Sequence, residues 1–355
     1  MNIIRTISEA SRYPADLASR YPADLASRYG STRSASTPYP EDFKPRDARI
    51  PYTVIGGPRW DRVRRYSFPL TLLVLSRGDR LFRPELLKDL QSRGIGEILW
   101  VERFEPSADV DSLARDFPDV RFLLIKAPST VGEMINIGIG ESRAPVVLSL
   151  WSDTRLSLFS PSLLIPMEKS GAVCTVPVAR NARLEAIPSW QSPVWKRRRL
   201  SLSYRAPRRD GEHTLFPFDY CGVYNREKFA QSGGFDPRIA NPYWQKLDFG
   251  FRCFLWGDSV RGTTGIALTY TGAPPEENTT PDRGYKLFWL KNMAVRFRRE
   301  MGVLPARRIL DYIMHSDTGP LHAIQEFRAV RGWVHTHRFR FRRDSRDVVE
   351  RWEVL

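Results

Sequence analysis

From Leu70 onward, short unbroken apolar runs alternate with segments of helical period. LTLLVL (70–75), EILWVE (97–102), RFLLIK (121–126), VVLSLW (146–151) and Ala172–Val178 have strand length and no polar alternation, the pattern of strands buried on both faces. Between them, Pro84–Gln91 opens with proline in its first turn, and about Val131–Ser142 carries apolar residues at helical spacing. Strands of this kind alternating with helices predict an α/β domain: a mostly parallel sheet with helices on both faces.

The rhythm fails on either side of this series. Residues 179–218 are rich in Arg, Pro and Trp without clean periodicity and read as a loop-rich insertion. Beyond Asp282 helical periods return: Tyr285, Phe288, Met293, Val295 and Phe297 mix with arginines, then Leu321, Ile324, Phe327, Val330 and Trp333 recur at steps of three. Residues 283–355 are therefore expected to form a basic, helical C-terminal appendage. At the other end, ASRYPADL at 10–17 is repeated letter for letter at 18–25, and a Ser/Thr/Pro-rich stretch runs on to about Pro58. So little apolar surface cannot offset the entropy of ordering, so 1–66 is expected to be a flexible, disordered tail and 67–282 the folded domain.

Composition narrows the class. With 42% hydrophobic and 27% charged residues in 355, the chain has the apolar material for a globular core, which excludes a fibrous or wholly disordered protein. Fifty-five Lys and Arg against 40 Asp and Glu leave a net charge of +15, so polyanions are attracted: nucleic acid, anionic lipid or phosphorylated substrates. The excess is concentrated in KRRR (196–199), Arg208–Arg209 and HTHRFRFRR (335–343). On an extended strand that last run would set rings on one side and guanidiniums on the other, a form suited to anionic headgroups or nucleic acid, with an anionic membrane surface the preferred reading. No zinc module or RNP sequence accompanies the charge, so no nucleic-acid partner is expected. Cys174, Cys221 and Cys253 form neither a disulfide framework nor a CxxC pair. Met1–Ile4 is the only apolar stretch before Arg5, and no run is long enough to span a bilayer. A cytoplasmic protein, peripheral at the inner membrane face, is the resulting expectation.

In a sheet of this type ligands sit at the carboxyl ends of the strands, so polar residues just past them are the first candidates. Ser76, Arg77 and Asp79 follow the first run, Glu102 ends the second, and Ser152–Asp153 follow VVLSLW. A hydroxyl, a guanidinium and a carboxylate there can hold a base, ribose or phosphate, and a lone acid past a buried strand can bind a divalent cation that neutralises a diphosphate. PSTVGEMINIGIGESRAP (128–145) sets Gly132, Asn136 and Gly138 on one helix, which close packing against a sheet also explains. Further on, Gly233 and Gly234 permit a tight turn that Asp236 can brace, and Asp248 is read as opening a helix, either as a cap or as a general base.

The order of these pieces resembles the family 2 glycosyltransferases of GT-A fold, with its Rossmann-like sheet, over about Leu70 to Tyr270. GGFD (233–236) followed by LDFGFR (247–252) and Gly257 is the most specific part. The resemblance implies an inverting hexosyl transfer from a nucleotide-sugar donor to a hydroxyl on a glycan or lipid-linked acceptor. Ser76, Arg77, Glu102, Gly132, Asn136 and Asp153 would bind the nucleotide-sugar. Asp153 would hold Mn2+ or Mg2+, Asp248 would be the general base, and Gly233, Gly234, Asp236 and Trp244 would line the acceptor side. This chain departs from the pattern at Trp151–Ser152–Asp153, where one acid of D-x-D is missing, at Leu247 in place of a glutamate, and in TYTGAPPEEN (269–278), which lacks a metal-binding histidine. These departures keep open a second expectation, a catalytically inactive GT-A domain that binds a sugar nucleotide or serves as a scaffold.

Overall fold

A computed structural model of the protein describes residues 5–6, 50–57, 70–77, 83–105, 110–160, 171–197, 199–314 and 319–354. The octapeptide repeat and Asp79 lie outside them. In chain order the first elements are β1 (Arg5–Thr6), β2 (Tyr52–Gly56), β3 (Leu70–Leu75), α1 (Arg83–Ser92), β4 (Glu97–Arg103), α2 (Val110–Asp116), β5 (Val120–Ile125), α3 (Val131–Glu141), β6 (Val146–Trp151), β7 (Thr154–Phe159) and β8 (Cys174–Arg180). They are followed by β9 (Trp190–Lys196), β10 (Arg199–Arg205), β11 (Gly222–Asn225), α4 (Arg226–Ser232), α5 (Pro242–Leu255), β12 (Val260–Tyr270) and α6 (Arg283–Phe288). The chain continues through β13 (Arg296–Arg298), β14 (Met301–Val303), α7 (Arg308–Met314), α8 (Pro320–Thr336) and α9 (Ser345–Glu350).

Among the described residues ten strands form one sheet in the order β1-β2-β5-β4-β3-β6-β11-β8-β12-β7. Its centre, β5-β4-β3-β6, is parallel and as apolar as expected: every residue of β3, β5 and β6 is buried. The chain steps outward from β3 to β4 to β5 and then returns to the other side of β3 as β6. The direction of winding therefore reverses between β3 and β6, which opens a crevice past their carboxyl ends. Beyond β6 the sheet turns mixed: β11 runs antiparallel to β6 and β8, β12 is parallel to β8, and β7 is antiparallel to β12.

Helices flank this sheet. α3 begins where Thr130 and Glu133 cap each other, the Thr130 side chain accepting from the Glu133 N–H and Glu133 from the Thr130 N–H. α5 opens at Asn241, whose side chain accepts from the Tyr243 N–H, with Pro242 in the first turn. Its Phe249, Phe251, Phe254 and Leu255 enter the large core that also takes in β3–β6.

Three expectations change. Residues 50–57 belong to the sheet rather than to a tail: β2 pairs antiparallel with β5, and Ile50 is buried. The stretch 179–218 contains a full antiparallel hairpin, β9–β10, with Pro193 inside β9 and Leu200, Leu202 and Tyr204 alternating along β10. The last quarter of the chain is largely helical, as expected, but it packs into the core instead of standing apart from it. Phe327, Val330, Trp333, Phe341, Val348 and Trp352 share the central core, and Trp333 and His337 stack on Trp256 at the end of α5. Nor is 335–343 an extended strand. α8 runs to Thr336, a short 3-10 turn follows, Phe341 is buried, Phe339 is exposed and Arg340 lies 4.0 Å from the Trp256 ring centre.

Candidate functional site

The crevice past β3 and β6 is closed by charge. Arg77, two residues beyond β3, donates from Nε to Asp153 Oδ2 (2.9 Å) and from Nη2 to Asp153 Oδ1 (3.0 Å). It also donates from Nη1 and Nη2 to the two oxygens of Asp219 (3.1 and 2.8 Å). The guanidinium lies 4.2 Å from the centre of the Trp151 ring, and its backbone is clasped by Ser152, whose hydroxyl accepts from the Arg77 N–H and donates to the Arg77 carbonyl. Burial opposes the charge on Arg77, but the hydrogen bonds and charges of Asp219 and Asp153 outweigh it and raise its pKa. The cluster is only partly covered: side-chain exposure is 28% for Arg77, 31% for Asp153 and 8% for Asp219.

Asp219 was not among the residues singled out in the sequence. It and Tyr220 are consecutive non-glycine residues in left-handed backbone conformation, with φ of 48° and 61°, an arrangement costing on the order of 1–3 kcal/mol per residue. Three tyrosines and a tryptophan hold it. Trp151 Nε1 donates to the Asp219 carbonyl (2.8 Å), Tyr270 donates to Asp219 Oδ2 (3.0 Å), Tyr224 donates to the Tyr220 carbonyl (2.8 Å), and Tyr220 donates to Gln245 Oε1 (2.7 Å). Burial raises the Asp219 carboxyl above its ordinary value, against the pull of Arg77.

At the end of β4, Glu102 is buried. Its Oε2 takes Arg83 (2.9 Å) and the Trp100 indole N–H (3.0 Å), while Oε1 is buried without any hydrogen-bond partner. Ser76 stands beside it and accepts from Arg83 (3.3 Å). An orphaned buried carboxylate oxygen is costly, and a ligand N–H or hydroxyl would satisfy it.

The remaining sequence candidates lie elsewhere. Asn136 does not face the crevice: it donates to the Phe235 carbonyl and accepts from the Phe235 N–H (2.8 and 2.9 Å), clamping α3 to the 233–236 turn. Gly132 serves the same packing. Its N–H donates to Gln245, and a Cβ there would lie 2.5 Å from the Phe235 Cβ. Gly233, at φ 85°, ends α4, and Gly234 at φ 62° presses so close to Asn136 that a side chain would collide with it. Trp244 is no open stacking surface, since it packs among Tyr243, Tyr285 and Phe288 and donates to the Thr280 carbonyl.

Asp248 requires the largest correction. It does not open a helix but sits midway along α5, and its side chain is 0% exposed. One oxygen accepts from Arg252 (3.2 Å) and Lys291 (2.9 Å), the other from Asn292 (2.8 Å). Lys291 also donates to Asp236 (2.8 Å), which Arg238 holds from its other side. Asp236 and Asp248 thus share a sealed ion-pair cluster that no acceptor hydroxyl reaches, because residues 291 and 292 from the C-terminal quarter close over it.

A divalent cation at Asp153 also meets an obstacle. Both oxygens of Asp153 and both of Asp219 already accept hydrogen bonds from Arg77. Among the described residues no group of three or more His, Cys, Asp or Glu side chains could hold a metal ion. As arranged, these residues fit a guanidinium rather than Mn2+ or Mg2+. Among the described residues, too, no helix is long and apolar enough to cross a membrane.

No protein-family model matches the chain, and no curated protein matches its sequence. Among solved structures it is similar to GalNAc-T7 crystallised with UDP, GalNAc and Mn2+, at TM-score 0.53 and 12% identity, over 64% of this chain and 48% of that one. It matches S. aureus TarS at TM-score 0.44 and 10% identity, over 76% and 43% of the two chains, and the TarS fragment 1–349 at 0.42 and 10%, over 76% and 71%. The likeness to GalNAc-T7 is one of fold, spans about half that protein's length, and gives this chain the GT-A architecture.

Proposed function

We propose that the protein transfers a sugar from a nucleotide-sugar donor to a hydroxyl on a glycan or lipid-linked acceptor. One observation carries this reading: a polar cluster, Arg77 with Asp153 and Asp219, occupies the crevice at the point where the sheet reverses its winding. Crevices of that kind take nucleotides. Glu102 Oε1 and Ser76 offer the base or ribose an acceptor and a hydroxyl. Arg77, with one Nη1 hydrogen not engaged by either aspartate, faces the diphosphate and stabilises its charge as it leaves. The family implies Mn2+ or Mg2+ at Asp153; here Arg77 stands between the two carboxylates that would hold it, and no step is assigned to a metal. The exposed basic end of the β9–β10 hairpin, with Lys196, Arg197 and Arg199, suits attachment to an anionic membrane face.

The sealed position of Asp248 favours one other reading, a non-catalytic domain that binds a sugar nucleotide. Thermal unfolding with UDP, GDP, dTDP or CMP tests what both readings share. The matching nucleotide raises the melting temperature in a dose-dependent way, by an amount equivalent to about 2.7 kcal/mol at a hundredfold excess over Kd. Stabilisation by none of them overturns both. Release of nucleoside diphosphate from UDP-GalNAc, UDP-glucose or GDP-mannose separates the enzyme from the binding domain.

A further inference from the structure

With Asp248 sealed and Asp153 and Asp219 both committed to Arg77, the acceptor hydroxyl still needs a carboxylate to take its proton. The segment after β12 supplies one. Thr271 donates to the Asp153 carbonyl through both its N–H and its hydroxyl (2.9 Å each), so the segment starts at the donor end of the crevice. It is pinned at the start of α5, where Asn241 donates to the Asn278 carbonyl (3.2 Å) and Trp244 to the Thr280 carbonyl (2.9 Å). Between these anchors lies Glu277. Its Oε1 accepts from Lys246 of α5 (2.6 Å), whose own side chain is buried above the rings of Tyr220 and Phe216 (5.2 and 5.6 Å). Its other oxygen accepts no hydrogen bond among the described residues, and the side chain is 16% exposed.

We propose that Glu277, held by Lys246, is the general base of the transfer and that the exposed ring of Tyr204 receives the acceptor sugar. The proposal rests on the transferase reading above. Tyr220 links the two halves of the site: its neighbour Asp219 binds Arg77, and its ring lies under Lys246. Tyr204, on β10, and Tyr243, in the first turn of α5, both feel the charge of Glu277. Tyr204 is 39% exposed, which leaves an aromatic face for a sugar ring. Burial and then the charge of Glu277 push the Tyr243 hydroxyl up to about 12. In the step itself the acceptor oxygen bonds to the anomeric carbon and its proton passes to Glu277. The bond from that carbon to the diphosphate oxygen breaks, its electron pair leaves with the nucleoside diphosphate, and Glu277 later releases the proton to water.

The experiment compares wild type with Glu277→Gln, Glu277→Asp and Glu276→Gln, the last altering an exposed neighbouring carboxylate. Two quantities are measured with UDP-GalNAc, UDP-glucose and GDP-mannose: nucleotide affinity by calorimetry, and nucleoside diphosphate release with water as acceptor. Glu277→Gln is expected to keep nucleotide affinity close to wild type while release falls at least about 100-fold, with a lowered melting temperature because buried Lys246 loses its counter-charge. Glu277→Asp retains part of the rate, and Glu276→Gln retains it in full. Wild-type turnover in Glu277→Gln overturns the assignment, and so does a wild type that binds nucleotide but releases diphosphate from none of the donors. Failure to bind any nucleotide overturns the transferase reading itself.

Discussion

Two clusters of acids and bases, built from the same chemical groups, end in opposite states. Around Arg77, Asp153 and Asp219, the arginine and one acid keep nearly a third of their side-chain surface in solvent. Asp236, Asp248 and Lys291 are themselves at most 5% exposed, with only Arg238 reaching solvent at 37%, and helix α5, the 233–236 turn and the C-terminal quarter close over the group from several sides. The difference separates a charge placed for a ligand from a charge placed for the fold. An ion pair open to solvent can exchange its partner for an anion, whereas a sealed one can be removed only by destabilising the protein.

The comparison breaks most sharply at Asp248. Asp248→Ala leaves Lys291 and Arg252 buried with an uncompensated charge. It is expected to cost about 3–5 kcal/mol, seen in thermal unfolding as a drop of roughly 6–15 °C. If the variant melts like wild type, the cluster is not structural. A second test uses acid. Burial pushes the Asp236 carboxyl up, but the charges and hydrogen bonds of Arg238 and Lys291 outweigh it and hold the group well below its ordinary value of 3.8. The unfolded chain protonates this residue near that value and the folded chain only at lower pH. The stabilisation is therefore complete above the ordinary aspartate range and is lost as the pH falls through that range toward the folded value. Melting temperature should decline over that interval in wild type and decline less in Asp236→Asn. The smallest effect sharpens the other side. Arg77→Met frees the paired carboxylates of Asp153 and Asp219 at a cost of about 1–2 kcal/mol, and manganese should then raise the melting temperature of the variant but not of wild type. An equal manganese response in both would mean that the guanidinium does not guard those oxygens.

The central strands were legible because both their faces are buried, which turns burial into an unbroken apolar run. Strand ends follow from strand positions, so Ser76, Arg77, Glu102 and Asp153 were found at the crevice where the alternation placed them. Asp219 was not, because what aims it is a strained backbone held by Trp151, Tyr224 and Tyr270, residues distant in sequence. Asp248 was misplaced for a related reason: α5 begins six positions earlier, at Pro242, and the burial of that carboxylate is decided by residue 291. Gly132 and Asn136 were seen as a motif, but composition alone cannot tell a phosphate cradle from a clamp between helices. The β9–β10 hairpin was missed although Leu200, Leu202 and Tyr204 alternate along β10, because Pro193 interrupts β9 and a run of Lys and Arg forms the turn.

The contact between Lys291 and Asp248 also bears on the order in which the chain can mature. As the polypeptide leaves the ribosome, α5 appears well before Lys291 and Asn292, and until they emerge Asp248 has Arg252 of its own helix as partner but lacks the two groups that close over it, so that flank stays loose and hydrated. A product cut at Asp282 would be held in that unfinished condition, and a cooperative melt from such a fragment would contradict this account.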